Sequence, residues 1–384
     1  MMNTMRSTSI TIHPNALTHN LQIIKSQLDP TTKVLAMVKA DAYGHGIDAT
    51  IPALIHADGF GVACLSEAVA VKQALDGMNH QKPIVLIEGA FSLDEWKVAI
   101  EHDFGCLIHH EEQLTWALAH QPKQDQFCHT IWLKYNTGMS RLGFNDDHII
   151  TAAKSLTDAG YRLILTSHFA CADDKSHPLN ARQISKFNQA LACIRSFAPD
   201  TLGSLCNSAG IFNFKDQHHN WVRAGIALYG SNPIANQSAK ALNLMPAMTL
   251  SAQVMAIHTL AAGDSIGYSA LWAAQKPHQI AVVSIGYGDG YPRVVMGAKV
   301  SVTDTSGNHH LCDIIGRVAM DMFMIDIHGL DIAMNTPVVL WGDSPTIDEV
   351  AMCAGTISYE LMCRLTTRPK RCIMDTYLPK REFK

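Results

Sequence analysis

A chain of 384 residues, 47% of them hydrophobic, is long for one domain and carries apolar material enough for two. Its net charge of -4 is spread without a basic stripe, which argues against nucleic acid or an acidic membrane as a partner. No run approaches the roughly 20 apolar residues of a membrane span, and the opening MMNTMRSTSITIH lacks the apolar core of a secretion signal, so a cytoplasmic protein is expected.

From residue 10 to about 230, short apolar runs alternate with stretches of helical periodicity, the first marked by Leu17, Leu21, Ile24 and Leu28. The runs are VLAMV (34–38), GFGVACL (59–65), PIVLIEG (83–89), FGCLIHH (104–110), TIWLKYN (130–136), LILTSHF (163–169), LGSLCNS (202–208) and WVRAGIALYG (221–230). Eight strands with helices between them predict a (β/α)8 TIM-type barrel over residues 1–235, whose chemistry belongs at the carboxyl ends of the strands. A doubly wound open sheet is the alternative, but no GxGxxG opens the first helix. Residues 232–248, NPIANQSAKALNLMPAM, lose the periodicity and read as a link. Beyond them, short β-branched segments broken by AAGDS, YGDGYP and DTSGN predict a mostly β C-terminal domain, 236–384, with a helical stretch over 346–363.

The ten cysteines fall singly, without a CxxC pair, and several sit inside apolar runs, as buried thiols do. Among the twenty histidines, the pairs His109–His110 and His218–His219 have no carboxylate or cysteine companions at ligand spacing, so no metal is expected.

Lys39, Lys134, His168, Asn207, Ser208 and Arg223 all lie at or just past the end of an apolar run. A lysine at a strand end ordinarily snorkels its ammonium to solvent. Partly desolvated, it becomes instead a nucleophilic amine suited to Schiff-base formation. Lys134 and Arg141 flank a Thr-Gly turn that can bend two cations toward one point, although a solvated arginine on an ordinary loop reads the same way. Gly225, after Arg223, lacks a side chain and would let backbone N–H groups approach an anion, with the Ser208 hydroxyl beside them.

VKADAYGHG (38–46), WLKYNTGMSRLGF (132–144), SHFACADD (167–174), NSAG (207–210), VRAGIALYG (222–230), IGYSALW (266–272), GRVAMDM (316–322) and SYELMCRL (358–365) together resemble the motifs of the bacterial alanine racemases, in that family's order and over nearly the whole chain. The resemblance implies a pyridoxal 5'-phosphate enzyme that interconverts L- and D-alanine by two bases, either supplying D-alanine for peptidoglycan or serving alanine catabolism. By it, Lys39 carries the cofactor and is the base on the D side, and Tyr268 is the base on the L side. Tyr43, Ser208, Gly225, Ile226 and Tyr359 hold the phosphate, Arg223 faces the pyridine nitrogen, and His168 links Arg223 to the tyrosine. Arg141 and the Met320 backbone meet the substrate carboxylate, and Lys134 is a lysine that can be carbamylated. Asp173, Tyr287, Arg293 and Arg317 line the entrance. The resemblance further implies a homodimer with shared active sites. Two positions depart from the common pattern: Asn136 for the frequent aspartate and Ala224 for the proline of VRPG. An arginine at the ring nitrogen disfavours the decarboxylases on the same barrel, which place an acid there. The second domain with Tyr268 disfavours a pyridoxal-phosphate-binding homeostasis protein, which is a single barrel.

Overall fold

The computed structural model of the protein describes residues 7–374. Eight parallel strands, β2 (Lys33–Met37), β3 (Gly59–Val62), β4 (Ile84–Leu86), β5 (Gly105–Ile108), β6 (Thr130–Lys134), β7 (Arg162–Thr166), β8 (Leu202–Ser204) and β9 (Trp221–Ala224), stand in the order β8-β7-β6-β5-β4-β3-β2-β9. The remaining seam is closed by main-chain bonds from Asn220 N–H to Gly203 O (3.1 Å) and from Arg223 N–H to Cys206 O (2.9 Å). These are the eight predicted runs. They read as unbroken apolar stretches because each strand is buried both by the barrel interior and by the helices outside it.

Helices between the strands start where a polar side chain can accept the first free N–H groups. Ser92 accepts from Glu95 N–H, Asn145 from His148 N–H and Asn207 from Gly210 N–H. The first helix, Pro14–Ser26, buries Leu17, Leu21 and Ile24, and with them one amide, Asn20. That amide donates to Leu228 O and Met245 O at 2.9 and 2.7 Å and accepts from Met245 N–H at 2.8 Å. The aperiodic stretch after the barrel is thereby pinned to the first helix.

The second unit is a ring of antiparallel strands. β10 (Met248–Leu260) is followed by a small hairpin of β11 (Ser265–Ile266) and β12 (Trp272–Ala273), and then by β13 (His278–Val283), β14 (Lys299–Thr303), β15 (His309–Ile315), β16 (Phe323–Asp326) and β17 (Pro337–Trp341). In the order β13-β16-β15-β14-β17-β10 the ring closes on itself, because the long β10 pairs with β17 along its first half and with β13 along its second. Two strands extend it. β1 (Ser9–Ile12) runs antiparallel to β10 with Ser9 opposite Ser251, and β18 (Lys370–Ile373) runs parallel to β1. Thus a strand ahead of the barrel belongs to the sheet that follows it, a pairing the sequence reading did not anticipate.

The helical stretch predicted over 346–363 is two helices, Ile347–Cys353 and Ser358–Cys363, parted at Gly355, whose φ of +65° breaks the first. Asp348 on the first helix ties both units together. It accepts from Ser231 Oγ–H (2.5 Å), from Asn232 N–H (2.9 Å) and from the Ser358 hydroxyl. This anchoring lays the second helix, with Tyr359, across the barrel mouth. No helix among the described residues is long and apolar enough to cross a membrane.

Candidate active site

The strand ends converge on a cavity of about 660 Å³ at the barrel mouth. Its lining includes Lys39, Tyr43, Lys134, Arg141, His168, Ser208, Arg223, Gly225, Ile226 and Tyr359, all singled out from the sequence. Four of these are lysines or arginines, and among the described residues Glu88 is the one carboxylate lining the same space, so the cavity suits anionic ligands.

Lys39 follows β2 and opens an unusual turn. Ala40, Asp41, Ala42 and Tyr43 all have φ of 52–53°, a left-handed turn built without glycine. Left-handed geometry costs L-residues roughly 1–2 kcal/mol each, so the turn persists only if its surroundings hold it. They do so from several sides. Glu67 accepts from Ala40 N–H with one oxygen (2.7 Å) and from Ala63 N–H with the other (2.8 Å), bridging the ends of β2 and β3. Asp41 accepts from Ile47 N–H at 3.1 Å. The buried His45 donates from Nδ1 to the carbonyls of Ala42 (3.1 Å) and Tyr43 (3.0 Å), and burial lowers its pKa to about 4. Gly44 then passes so close to the helix Ser358–Cys363 that a Cβ there would stand 2.3 Å from Met362 O. Side chains rather than local glycines fix this turn. The sequence showed the glycines, Gly44 and Gly46, but neither Glu67 nor His45.

Tyr43 points across the cavity, its ring stacked on Tyr229 at 4.6 Å between centroids and tilted against Tyr359 at 5.9 Å. Its hydroxyl would lie 2.7 Å from a Cβ at Gly225, so only glycine fits. Ser208 Oγ accepts from Gly225 N–H (2.9 Å) and Ala227 N–H (3.4 Å). With its lone pairs so occupied, the hydroxyl has its proton left to donate to an incoming oxygen anion.

Arg223, near the carboxyl end of β9, is buried, and both of its Nη atoms are engaged. Nη1 donates to Ser204 O (2.9 Å) and Ser204 Oγ (2.6 Å), and Nη2 to Leu205 O (3.1 Å), to Ser167 O and to His168 Nδ1 (3.4 Å). Burial brings its pKa down to about 10, which still leaves it cationic at neutral pH. His168 is held neutral, its pKa pushed well below the usual value by burial and then by the neighbouring Lys134, Arg223, Arg141 and Lys39. Ser204 was not foreseen.

Lys134, the last residue of β6, has its pKa lowered well below that of an ordinary lysine, first by burial and then by Arg223 and Arg141. Among the described residues no carboxylate lies within ion-pair distance of its amine. The loop after it is shaped by Asn136, whose Oδ1 accepts from Gly138 N–H (3.1 Å) and Ser140 N–H (2.9 Å). Either an aspartate or an asparagine oxygen can serve there, which accounts for this departure from the common pattern. Ala224 also loses nothing local, since it lies within β9, paired to Ala36.

The other predicted residues do not line the cavity. Tyr268 follows β11 in an exposed turn and is 71% exposed, two residues after Ile266 of a small apolar cluster with Ile280 and Ile315. Met320 is 53% exposed, and its carbonyl accepts from Gly288 N–H at 2.8 Å. Tyr287, Arg293 and Arg317 also lie on the second unit, half-buried or exposed, and Asp173 is an exposed barrel-loop residue; burial, and after it the charge of Asp173, raises the pKa of Tyr359. The structure therefore gathers one set of predicted residues at the barrel mouth and leaves Asp173 on an exposed barrel loop and the rest on the second unit.

Residues 12–233 match the family described as "Alanine racemase, N-terminal domain", and residues 247–373 match "Alanine racemase, C-terminal domain". The alanine racemase of Psychrobacter sp. (strain PRwf-1) is 51% identical over 378 residues, covering 96% of this chain and all of that one. Among solved structures, alanine racemase from Acinetobacter baumannii superposes with a TM-score of 0.89 at 41% identity, covering 96% of this chain and 100% of that chain. Alanine racemase from Bartonella henselae with covalently bound pyridoxal phosphate superposes with a TM-score of 0.83 at 28% identity, covering 96% and 99%.

Proposed function

The chain belongs to the alanine racemase family, and from that premise we propose that its barrel-mouth cavity is where pyridoxal 5'-phosphate and alanine meet, with the roles of its residues as follows. The protein is an alanine racemase, a pyridoxal-phosphate-dependent isomerase that interconverts L- and D-alanine. The residues present fit the cofactor. A cradle whose glycine a Cβ would fill, an unspent Ser208 proton and two tyrosine hydroxyls suit a phosphate, and Lys39 stands across the same cavity. That combination, a strand-end lysine and an anion cradle in one cavity, is the observation that carries the reading.

When bound, the cofactor supplies a conjugated ring that withdraws electrons from the substrate Cα and makes its proton removable. Lys39 would hold the cofactor through Nζ, and its free amine would take or return the proton on the D face. Arg223 has only N–H groups to offer, so it would hold the cofactor's ring nitrogen as an acceptor, which would temper the electron withdrawal and suppress side reactions. Arg141 and the Met320 backbone N–H orient the substrate carboxylate. The base on the L face is Tyr268, which needs help because an unperturbed tyrosine has a pKa of about 10. His168 gives that help: its Nδ1 accepts from Arg223, so its proton sits on Nε2 and can only donate, favouring the phenolate over the phenol. Two bases on opposite faces allow inversion, whereas one base would return the proton to the face it came from. Asp173, Tyr287, Arg293 and Arg317 form the entrance.

The site so described is completed by a second copy. Tyr268 and Met320 sit on exposed loops of the second unit together with the exposed apolar side chains Leu271, Val294 and Met296, and a twofold dimer lets each second unit cover the partner's barrel mouth. The chain divides at about residue 235, with β1 joining the second sheet, and its setting is the cytoplasm. Incubating the purified protein with L-alanine and following D-alanine by a stereospecific oxidase tests the function. No D-alanine from cofactor-loaded protein would reject it and favour a binding role.

A further inference from the structure

One buried amide grips two of the loops that build this cavity. Gln183 is a fully buried residue on the helix Pro178–Arg195. Its Oε1 accepts from Ala170 N–H (2.9 Å), and its Nε2 donates to His168 O (2.9 Å) and to Thr137 Oγ (3.0 Å). The orientation of the amide follows from chemistry, since an N–H needs the oxygen and a carbonyl needs the nitrogen. Thr137, on the loop that carries Arg141, lies 2.8 Å from Ser167 Oγ, and Ser167 Oγ–H donates to Tyr135 O at 2.8 Å. Because that carbonyl can only accept, the Ser167 proton is committed. Thr137 must then donate to Ser167, and the Thr137 oxygen must take its own bond from Gln183. The chain from Gln183 through Thr137 and Ser167 to Tyr135 has a single hydrogen-bond direction, with every proton assigned. Ser167 in turn offers its carbonyl to Arg223.

We propose that Gln183 is a positioning residue for the racemase reaction, fixing the His168 and Arg141 loops relative to one another through this one-directional chain. The proposal rests on reading the cavity as the racemase site. Gln183 touches neither substrate nor cofactor. It sets the carbonyl of His168, hence the ring that meets Arg223, and it sets the hydroxyl at the base of the Arg141 loop. A fully satisfied buried network of this kind holds one geometry, and losing a member leaves the others unpaired in a dry interior.

The test uses cofactor-loaded enzyme well below its melting temperature. Gln183→Leu, similar in size but unable to hydrogen-bond, should lower kcat by on the order of tenfold, as a misplacement of loops around a reacting centre does. It should also raise KM for alanine and speed amide hydrogen exchange in the segment 166–172. Thr137→Val should raise KM several-fold, whereas Thr137→Ser, which keeps the hydroxyl, should match wild type. The double variant Gln183→Leu/Thr137→Val should be no worse than Gln183→Leu alone, because both act through one chain. A Gln183→Leu enzyme with kcat, KM and exchange within twofold of wild type would overturn the proposal, even if its melting temperature fell. Should Gln183→Leu fail to fold, the Thr137 pair decides, and equal KM values for Val and Ser would reject the chain. An inactive wild type would instead reject the racemase reading, with the exchange measurement still testing the network.

Discussion

Nδ1 of His168 lies 3.4 Å from Nη2 of Arg223, and since a guanidinium has nothing but donors, that ring nitrogen is an acceptor. The imidazole is therefore neutral with its proton on Nε2, in keeping with the lowering of its pKa by burial and then by the basic groups around it. Nitrogen-15 spectra of the protein labelled in histidine should show a His168 ring in the Nε2–H tautomer that does not titrate between pH 5.5 and 8. A ring that gains a proton near pH 6.5 would show that Arg223 does not hold it as described.

Neutral buried histidines make the fold sensitive to mild acid. His45 and His219 are both held near 4 by burial, and His168 well below its ordinary value. In the unfolded chain such rings protonate near 6.5, while the folded state resists until its own lower pKa. Protons therefore bind the unfolded state preferentially as pH falls through 6.5, and stability is lost downward from there. For His45 alone the gap from 6.5 to about 4 amounts to ~3 kcal/mol once fully expressed. The melting temperature should decline steadily from pH 6.5 to 4.5, above the range where ordinary carboxylates titrate. A flat profile across that window would mean these rings accept protons without unfolding.

Burial, then the charges of Arg223 and Arg141, hold the Lys134 amine well below the ordinary lysine range, and no carboxylate among the described residues lies within ion-pair distance of it; a larger share of neutral amine, the form that adds carbon dioxide, follows. The carbamate would place an anion beside Arg141 and offset the local excess of positive charge. With carbon-13 bicarbonate, the native protein should give a carbamate carbonyl signal that Lys134→Arg lacks and that disappears on acid denaturation. Identical spectra for wild type and Lys134→Arg would leave the lysine as a bare amine.

The barrel was legible because parallel strands buried on both faces appear as apolar runs, and because chemistry collects at their carboxyl ends: Lys39, Lys134, His168 and Arg223 all obeyed that rule. What could not be read depends on partners distant in sequence. Nothing in Ser9–Ile12 announces that it pairs with Met248–Ser251. The left-handed turn at Ala40–Tyr43 contains no glycine, and its supports, Glu67 and His45, resemble any helix-capping acid and any buried histidine. Gln183 sits on an ordinary amphipathic helix, where its three polar contacts leave no trace in the periodicity. Tyr268 and Met320 lie exposed on the second unit and do not line the cavity around Lys39, so their link to it could be read only from the resemblance.

Gly225 offers a narrower check of the anion cradle. A methyl group there would meet Tyr43 Oη at 2.7 Å with Met37 Cβ at 3.7 Å behind it, so the tyrosine must swing aside. Gly225→Ala should weaken pyridoxal phosphate binding by roughly tenfold or more, about the worth of one displaced hydrogen bond to a charged group. Titrating apo-protein with cofactor measures it. Unchanged affinity would place the phosphate elsewhere in the cavity.

The most demanding expectation concerns the dimer. If Lys39 of one barrel works with Tyr268 of the partner's second unit, then two inactive variants can rescue each other. Lys39→Ala removes the residue that carries the cofactor, and Tyr268→Ala removes the base on the opposite face, so each homodimer is dead for its own reason. In a mixed dimer, one site receives both lesions, while the other combines the intact Lys39 of one chain with the intact Tyr268 of its partner. Random exchange makes half of the dimers mixed and restores one of two sites in each, so about a quarter of all sites should recover. Dissociating and reassociating the two variants, with each chain bearing a different tag so that mixed dimers can be isolated, yields the sample to assay. Isolated mixed dimers should then show about half the wild-type rate per dimer. If verified mixed dimers stay inactive, Tyr268 reaches the cavity of its own chain, and the exposed loop that carries it must close over the barrel mouth without a partner.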